Sequence, residues 1–263
     1  MTPMSVEDMR RVELEIMDEI HRICQEHGLT YYLFYGSLLG AKRHGGFIPW
    51  DDDIDIVMLR EDYEVLAKHF DEWNCVDRFS LAWYRDGSAA NAYMKVCDTT
   101  TYVEEAFNRA DFATGVWVDI FPLDNYDREA CAGPVRKMRS LSLWRSFIIT
   151  NPCVASNSAV ALAKKVVCPL VKSQDPKRLS CQIDNEAKTM CTYKTGKLVD
   201  ALGGEWNVVF DLDMFQPEPV QFEDRTYISV KDYDRVLSCC YGDWQTPPPE
   251  NDREMHTADV YFL

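Results

Sequence analysis

Apolar residues near the start of the chain recur every three or four positions: Val12, Ile16, Ile20 and Ile23 form a stripe down one helix face. Ser5-Val6-Glu7-Asp8 supplies a helix start with acid in its first turn, and Gly28 supplies a stop. The period then changes. Residues 31–35 are a continuous apolar run, and Ile54, Ile56 and Met58 alternate with or flank Asp53 and Asp55; both stretches predict strands. A short helix is expected at 38–43 and another at 61–70. Strand patterns return at 79–84, 93–97 and 116–121. A helix, then a mixed sheet with helices against it, predicts an α+β or α/β arrangement.

Residues 128–197 break this rhythm. Their strand signals are weak, and 135–149, 159–170 and 177–191 read as helices interrupted at Pro152, Pro169 and the 173–176 link. Strand character resumes at 197–201 and 208–211. A hairpin is expected over 221–230 around Glu223-Asp224-Arg225, then a last helix at 232–240 stopping near Gly242. The expected organisation is a catalytic core at 1–127, a helical insertion at 128–197, and a return to the core at 198–263.

Charge follows the same division. The chain carries a net −15, which argues against general nucleic-acid binding. Within 128–197, however, 13 basic residues face 4 acidic ones, a balance of +9, while the remainder carries −24. Such segregation suggests two surfaces with different partners. A lipid-linked anionic acceptor, peripheral contact with an acidic membrane, and a plain solvated face all fit the basic segment. The apolar stretch 159–171 contains Lys164-Lys165 and is too short to span a bilayer, so a buried or surface-lying helix is expected. No hydrophobic leader is evident at the amino terminus, which predicts a cytoplasmic protein with reduced thiols. The 10 cysteines include no C-x-x-C pair for structural zinc.

The densest chemistry lies early. Gly36-Ser37 closes the first apolar run, and fifteen residues later comes Asp53-Ile54-Asp55-Ile56, preceded by Trp50-Asp51-Asp52. Side chains two apart on a strand share a face, so Asp53 and Asp55 stand together. Neighbouring carboxylates repel unless a cation sits between them. A hard divalent ion such as Mg2+ (or Mn2+), with oxygen ligands and substrate phosphates, meets that need. Small residues at Gly36-Ser37 would let the backbone approach a phosphate. A third carboxylate is offered by Asp119 in Val116-Trp117-Val118-Asp119-Ile120-Phe121, where a buried charge is costly without a partner. Asp124, beyond Pro122, is expected in a turn. Asp51 and Asp52 fit an outer shell or a solvated loop equally. Among Lys42, Arg43 and His44, Arg43 has the planar fork best suited to phosphate, and Lys42 also reads as a solvated surface residue. Asp211-Leu212-Asp213 repeats the spacing but follows no phosphate-binding turn, and reads as structural.

Positions 36–56 resemble the LicD family signature Gly-(Ser/Thr)-Leu-Leu-Gly-Ala-x-Arg-His-x-Gly-Phe-Ile-Pro-Trp-Asp-Asp-Asp-Ile-Asp almost residue for residue. That family includes bacterial phosphocholine transferases and is related to the fukutin-related protein. The resemblance implies an α+β, nucleotidyltransferase-like mixed sheet with flanking helices and a helical insertion. It also implies transfer of a phosphorylated head group, phosphocholine or similar, from a CDP-linked donor such as CDP-choline. The acceptor would be a hydroxyl of a glycan or lipid-linked glycan, and CMP would be released. Asp53, Asp55 and Asp119 would hold the metal, with Asp119 taking the hydroxyl proton. Gly36, Ser37, Arg43 and His44 would serve the donor phosphates. Lys95 matches a family lysine, and His256 ends a Pro-Pro-Glu-x-x-Arg-x-x-His tail similar to the family's carboxy-terminal motif; both are candidate substrate contacts. Tyr241-Gly242-Asp243-Trp244 also fits the family, as architecture. One departure is Phe222-Glu223-Asp224-Arg225 where relatives often read Phe-Glu-Gly. Trp83, Tyr84, Tyr93 and Trp117 suit either a cage for a quaternary ammonium or the core. The rival readings are a true nucleotidyltransferase releasing pyrophosphate and a non-catalytic nucleotide- or glycan-binding member.

Overall fold

In the computed structural model, residues 1–105, 108–110, 113–151, 158–171, 173–249, 253 and 258–263 are described. After a two-residue strand β1 (Thr2–Pro3), helix α1 (Val6–His27) runs as its apolar stripe predicts. Ser5 Oγ accepts the Asp8 N–H at 3.1 Å while the Asp8 carboxylate accepts from Ser5, and Gly28 closes the helix at φ 69°. The chain continues through β2 (Tyr31–Leu33), α2 (Tyr35–Arg43), β3 (Ile54–Leu59) and α3 (Arg60–Trp73). Next come β4 (Phe79–Ala82), β5 (Met94–Asp98), β6 (Thr101–Glu105) and the nine-residue β7 (Trp117–Asn125).

Three helices follow, α4 (Ala132–Ile149), α5 (Ser158–Val171) and α6 (Pro176–Met190). Strands β8 (Lys197–Asp200) and β9 (Phe210–Asp211) then rejoin the sheet. The hairpin β10 (Pro217–Phe222) and β11 (Arg225–Val230), helix α7 (Tyr233–Tyr241) and β12 (Ala258–Phe262) complete the described elements.

The main sheet has the order β2-β3-β7-β5-β4. Only β3 and β7 are parallel; the other pairs are antiparallel. β7 is long enough to serve two partners on one flank: Trp117–Ile120 pairs with β5, and Leu123–Asn125 pairs with β8. Alternation along each strand separates two cores. Ile54, Ile56, Met58, Val96, Val118 and Ile120 pack on one face against α1 and α3, whose Ile16, Ile20, Tyr63 and Phe70 are fully buried. Side chains of this size contribute about 1.5–3 kcal/mol each on burial. Val57, Phe121 and Leu123 face the other way, toward Phe34, Leu38, Phe210, Phe215 and Leu237.

Helices α4 and α6 are fastened to the sheet by apolar contact and by charge. Met138, Ile183, Ala187 and Met190 pack against Val199 and Ala201 beside β8. Arg60 at the start of α3 forks both Asp124 oxygens at 2.7 Å and reaches Asp184 of α6 at 2.8 Å. Asp184 also accepts from Tyr84 and Arg85, each at 2.5 Å.

Several expectations are corrected. Asp124 is not in a turn: it lies within β7, fully buried and neutralised by Arg60. Gly36-Ser37 lies inside the first turn of α2 rather than in a turn before it, because the strand stops at Leu33 and Tyr35 bends the chain at φ 41°. The 208–211 strand contracts to Phe210–Asp211. The small antiparallel sheet β1-β12-β6 has no counterpart in the expected elements. The expected hairpin forms, with Phe222 opposite Arg225 across Glu223-Asp224, and with β10 beginning earlier than expected.

Candidate active site

β3 and β7 run in a register that sets Asp55 beside Asp119, and β5 sets Lys95 on the other side of Asp119. Register partners share a sheet face, so three charged side chains form one row across three strands. Ile54, Ile56, Val118 and Ile120 turn to the opposite face and enter the core, so the apolar alternation holds this row in place. Asp53, two residues before Asp55, joins the row just ahead of β3.

Asp53, Asp55 and Asp119 line one cavity of about 750 Å³, together with Gly36 and Arg43. Burial pushes the Asp55 carboxyl well above the ordinary range, and repulsion from Asp53, Asp119 and Asp51 adds to it. Lys95 Nζ lies 2.9 Å from Asp119 Oδ1 and 3.8 Å above the Trp117 ring centre. Burial opposes the Lys95 charge, yet Asp119 outweighs it and raises the ammonium above its usual range. Trp117 Nε1 donates to Asp119 Oδ2 at 3.1 Å. Asp119 is therefore drawn toward Lys95 and the indole. Among the described residues no three Asp, Glu, His or Cys side chains converge into a ready-made metal cage. The donor set itself suits a hard cation, since carboxylate oxygens are hard ligands.

The remaining expected residues divide. Gly36 belongs to the cavity wall, and a Cβ there would come within 2.4 Å of Asp51 Oδ2. Ser37 is buried and its Oγ accepts the Asp55 backbone N–H at 2.8 Å, so it anchors the aspartate strand. Arg43 lines the cavity and donates to the Trp244 carbonyl at 3.0 Å. His44 is exposed, accepts from Arg43 Nε at 3.0 Å and stands outside the cavity lining. Lys42 turns away, over the Tyr233 ring at 4.0 Å and toward Glu218. His256 lies outside the described residues. Asp211 pairs with Lys197 and Arg235, in keeping with a structural role.

Other cavity residues escaped the sequence reading. Asp200, at the end of β8, is buried on the cavity wall and accepts from Tyr35 Oη at 2.8 Å and Gly203 N at 2.7 Å. Burial raises its carboxyl to about 7 against those hydrogen bonds. Tyr35 spends left-handed backbone strain to reach it. Tyr241, Asp243 and Trp244 form wall, beyond the architectural role expected of them. None of Trp83, Tyr84, Tyr93 and Trp117, which suit either a cage or the core, lines the cavity. Trp83 is core and donates to the Ala92 carbonyl, Tyr84 serves Asp184, and Tyr93 packs on Phe121. Tyr35, Trp50, Phe121, Tyr241 and Trp244 line the cavity instead.

Two residues hold the loop between α2 and β3. Arg10 of α1 donates to the carbonyls of Ile48, Pro49 and Asp51 and covers the Phe47 ring. Glu223, at φ 53° in the hairpin turn, accepts from Phe47 N and donates its own N–H to Gly45. The departure from the Phe-Glu-Gly pattern thus leaves a loop clasp intact. An arginine in an amphipathic helix and a glutamate in a turn carry no sequence signal for such long-range roles.

Residues 28–133, which contain the aspartate row, Lys95, Gly36 and Arg43, match the family model described as LicD/FKTN/FKRP, nucleotidyltransferase domain. Along its whole length the chain is 28% identical to the lipopolysaccharide cholinephosphotransferase LicD of Haemophilus influenzae, covering 100% of both chains. A segment of 40 residues is 50% identical to the human ribitol 5-phosphate transferase FKRP, covering 15% of this chain and 8% of that one. An uncharacterised Rickettsia prowazekii protein is 42% identical over 48 residues, 18% of each chain. The row of charges across β3, β7 and β5 therefore lies within the segment that is similar to the LicD/FKTN/FKRP nucleotidyltransferase domain.

Proposed function

We propose that this chain transfers a phosphorylated head group from a CDP-linked donor to a glycan hydroxyl, releasing CMP. The observation that carries the reading is that Asp53, Asp55 and Asp119, the last paired with Lys95, line a cavity together with Gly36 and Arg43. End-to-end similarity to a cholinephosphotransferase supports the reaction class. Mg2+ or Mn2+ held by Asp53, Asp55 and Asp119 would supply Lewis-acid polarisation of the transferred phosphoryl group.

The chain's own residues do the rest. Gly36 offers backbone approach to donor phosphates, and Arg43 places a fork of N–H donors at the cavity wall to bind the charge that grows on CMP. The acceptor oxygen bonds to the phosphorus next to the head group as the bond from that phosphorus to the CMP oxygen breaks. Asp119 receives the acceptor proton. A loose phosphoryl-transfer transition state demands little base strength, so a carboxylate shared with Lys95 suffices. A cytoplasmic setting, where CDP-linked donors are made, is part of this proposal.

The cavity wall favours a cationic head group. Five aromatic rings and the carboxylates Asp200, Glu205 and Asp243 line the space beyond the aspartate row. Aromatic faces with nearby carboxylates attract a quaternary ammonium and offer less to a neutral polyol. A panel of CDP-choline, CDP-ethanolamine and CDP-ribitol, followed by phosphorus NMR, tests both levels. CMP formed fastest from CDP-choline supports the reading. Pyrophosphate released from CTP, without CMP from any CDP donor, would establish the true nucleotidyltransferase instead. Binding without turnover of any donor would establish the non-catalytic reading.

A further inference from the structure

Helix α5 is apolar on both sides, which is unusual for a helix at the surface. Cys168 and Val171 are buried, and Lys164 donates to Thr150 Oγ1 at 2.7 Å, which defines its inward face. The outward face carries Leu162, Val166 and Leu170, exposed by 66%, 58% and 75%. Their spacing of four places them in one line along the helix. Lys165 and Pro169, also exposed, flank that line. On neighbouring α4, Leu143 and Trp144 are exposed as well. These five account for nearly half of the eleven large apolar side chains exposed among the described residues, so the exposure is concentrated rather than scattered.

Charge says what covers this face. The segment 128–197 carries +9 within a chain of net −15. A protein partner with an ordinary apolar patch would need no such excess. An anionic bilayer surface is complementary to both features, taking the leucine line into the headgroup boundary and the exposed Lys165 beside it against lipid phosphates. α5 has 14 residues, about 21 Å of helix against a hydrocarbon core of about 30 Å, so it can lie in the interface but cannot span it. No described helix is long and apolar enough to cross a membrane.

We propose that the outward face of α5, with Leu162, Val166 and Leu170 at its centre, docks this protein on anionic lipid membranes. Leucine and valine side chains supply shallow insertion, and the basic insertion supplies attraction that salt weakens. No residue lining the catalytic cavity comes from α4 or α5.

Sedimentation of the full chain with vesicles tests this without any donor or acceptor, so its failure and failure of the transfer reading are separable. One vesicle set is phosphatidylcholine alone, the other equal parts phosphatidylcholine and phosphatidylglycerol. Binding is expected to the second set and to weaken in high salt. The triple variant Leu162→Glu/Val166→Glu/Leu170→Glu is expected to bind at least about tenfold more weakly. Because the three side chains are exposed, its circular dichroism and unfolding midpoint should match the parent. Lys165→Glu, which leaves the apolar line intact, should weaken binding to a smaller degree. Absence of binding to anionic vesicles overturns the proposal, as does binding that the triple variant leaves unchanged. A dimer in solution that the triple variant abolishes, without vesicle binding, overturns it in favour of a second copy.

Discussion

β7 carries two buried aspartates five residues apart, and their surroundings could hardly differ more. Asp124 meets Arg60 in a bidentate pair, inside a cluster where Arg60, Arg85 and Lys188 balance Asp124, Asp184 and Glu64. Asp119 pairs with Lys95 and stands in a row with Asp55 and Asp53 on the wall of a cavity. The first cluster closes on itself, with as many cations as carboxylates. The second is a row of three carboxylates that lines an open space. Burial of charge alone therefore does not mark a site. A run of like charges lining a cavity does.

The sharpest way to break this comparison is to delete a member of the open row. Asp55→Ala is expected to lower CMP release roughly 10⁴-fold, an effect of the size seen when a core member of a catalytic unit is lost. The same change should leave the unfolding midpoint unchanged or higher, because it removes one of several repelling carboxylates. Retained activity would remove the row from the mechanism. A large fall in midpoint would make it structural after all.

The closed cluster should answer in the opposite way. Arg60→Met leaves Asp124 and Asp184 buried without their shared cation, at a cost of about 3–5 kcal/mol. For a chain of this size that lowers the midpoint by about 10 °C. Turnover per folded molecule, measured well below the midpoint, should stay near that of the parent. A selective loss of turnover at unchanged midpoint would show that the two clusters are not separate in function.

How much of this was legible beforehand depends on the range of the interaction. The α1 stripe, the Asp53-x-Asp55 spacing, the third carboxylate at Asp119 and the hairpin around Glu223-Asp224 are local patterns, and local patterns survive in a sequence. The β3–β7 register that aligns Asp55 with Asp119 joins residues 64 apart, and no periodicity records it. Asp124 was misread for the same reason: Pro122 two residues earlier suggests a turn, while its partner Arg60 is far away in the chain. Asp200 and Tyr35 reach the cavity through a hydrogen bond across 165 residues, which neither residue type announces. Ser37 lies beside Asp55 with its hydroxyl holding the Asp55 backbone, a role that only geometry distinguishes from phosphate binding.

Asp200 lies between the two clusters and sharpens the contrast by pH. It is buried like Asp124 but pairs with no cation among the described residues, and its carboxyl rises from 3.8 to about 7. A carboxyl with a raised native pKa binds a proton in the folded state that the unfolded state has already lost. Its protonated form therefore favours folding at low pH, and stability falls as pH rises from about 4 toward 7. Asp200→Asn keeps an acceptor for Tyr35 without the ionisation. Denaturant unfolding across that window should show a loss on the order of 2–4 kcal/mol in the parent that the variant lacks. Identical slopes in both proteins would mean that Asp200 is ionised throughout and compensated from within the cavity.

The smallest expected effect bears most directly on what Lys95 does. Its ammonium neutralises Asp119 from within the row, as a bound cation would from the cavity side. If the two compete for that carboxylate, Lys95→Met should raise the affinity for Mg2+ while weakening the protein without metal. The stabilisation conferred by a fixed Mg2+ concentration should then grow by about 1 kcal/mol, read as the difference in unfolding midpoint with and without the ion. A lysine that serves a donor phosphate gives another pattern: an unchanged response to Mg2+ and a higher KM for the CDP-linked donor. The two measurements separate a charge that completes the fold from one that meets the substrate, which the static pairing of Lys95 with Asp119 cannot do because both roles need the same geometry.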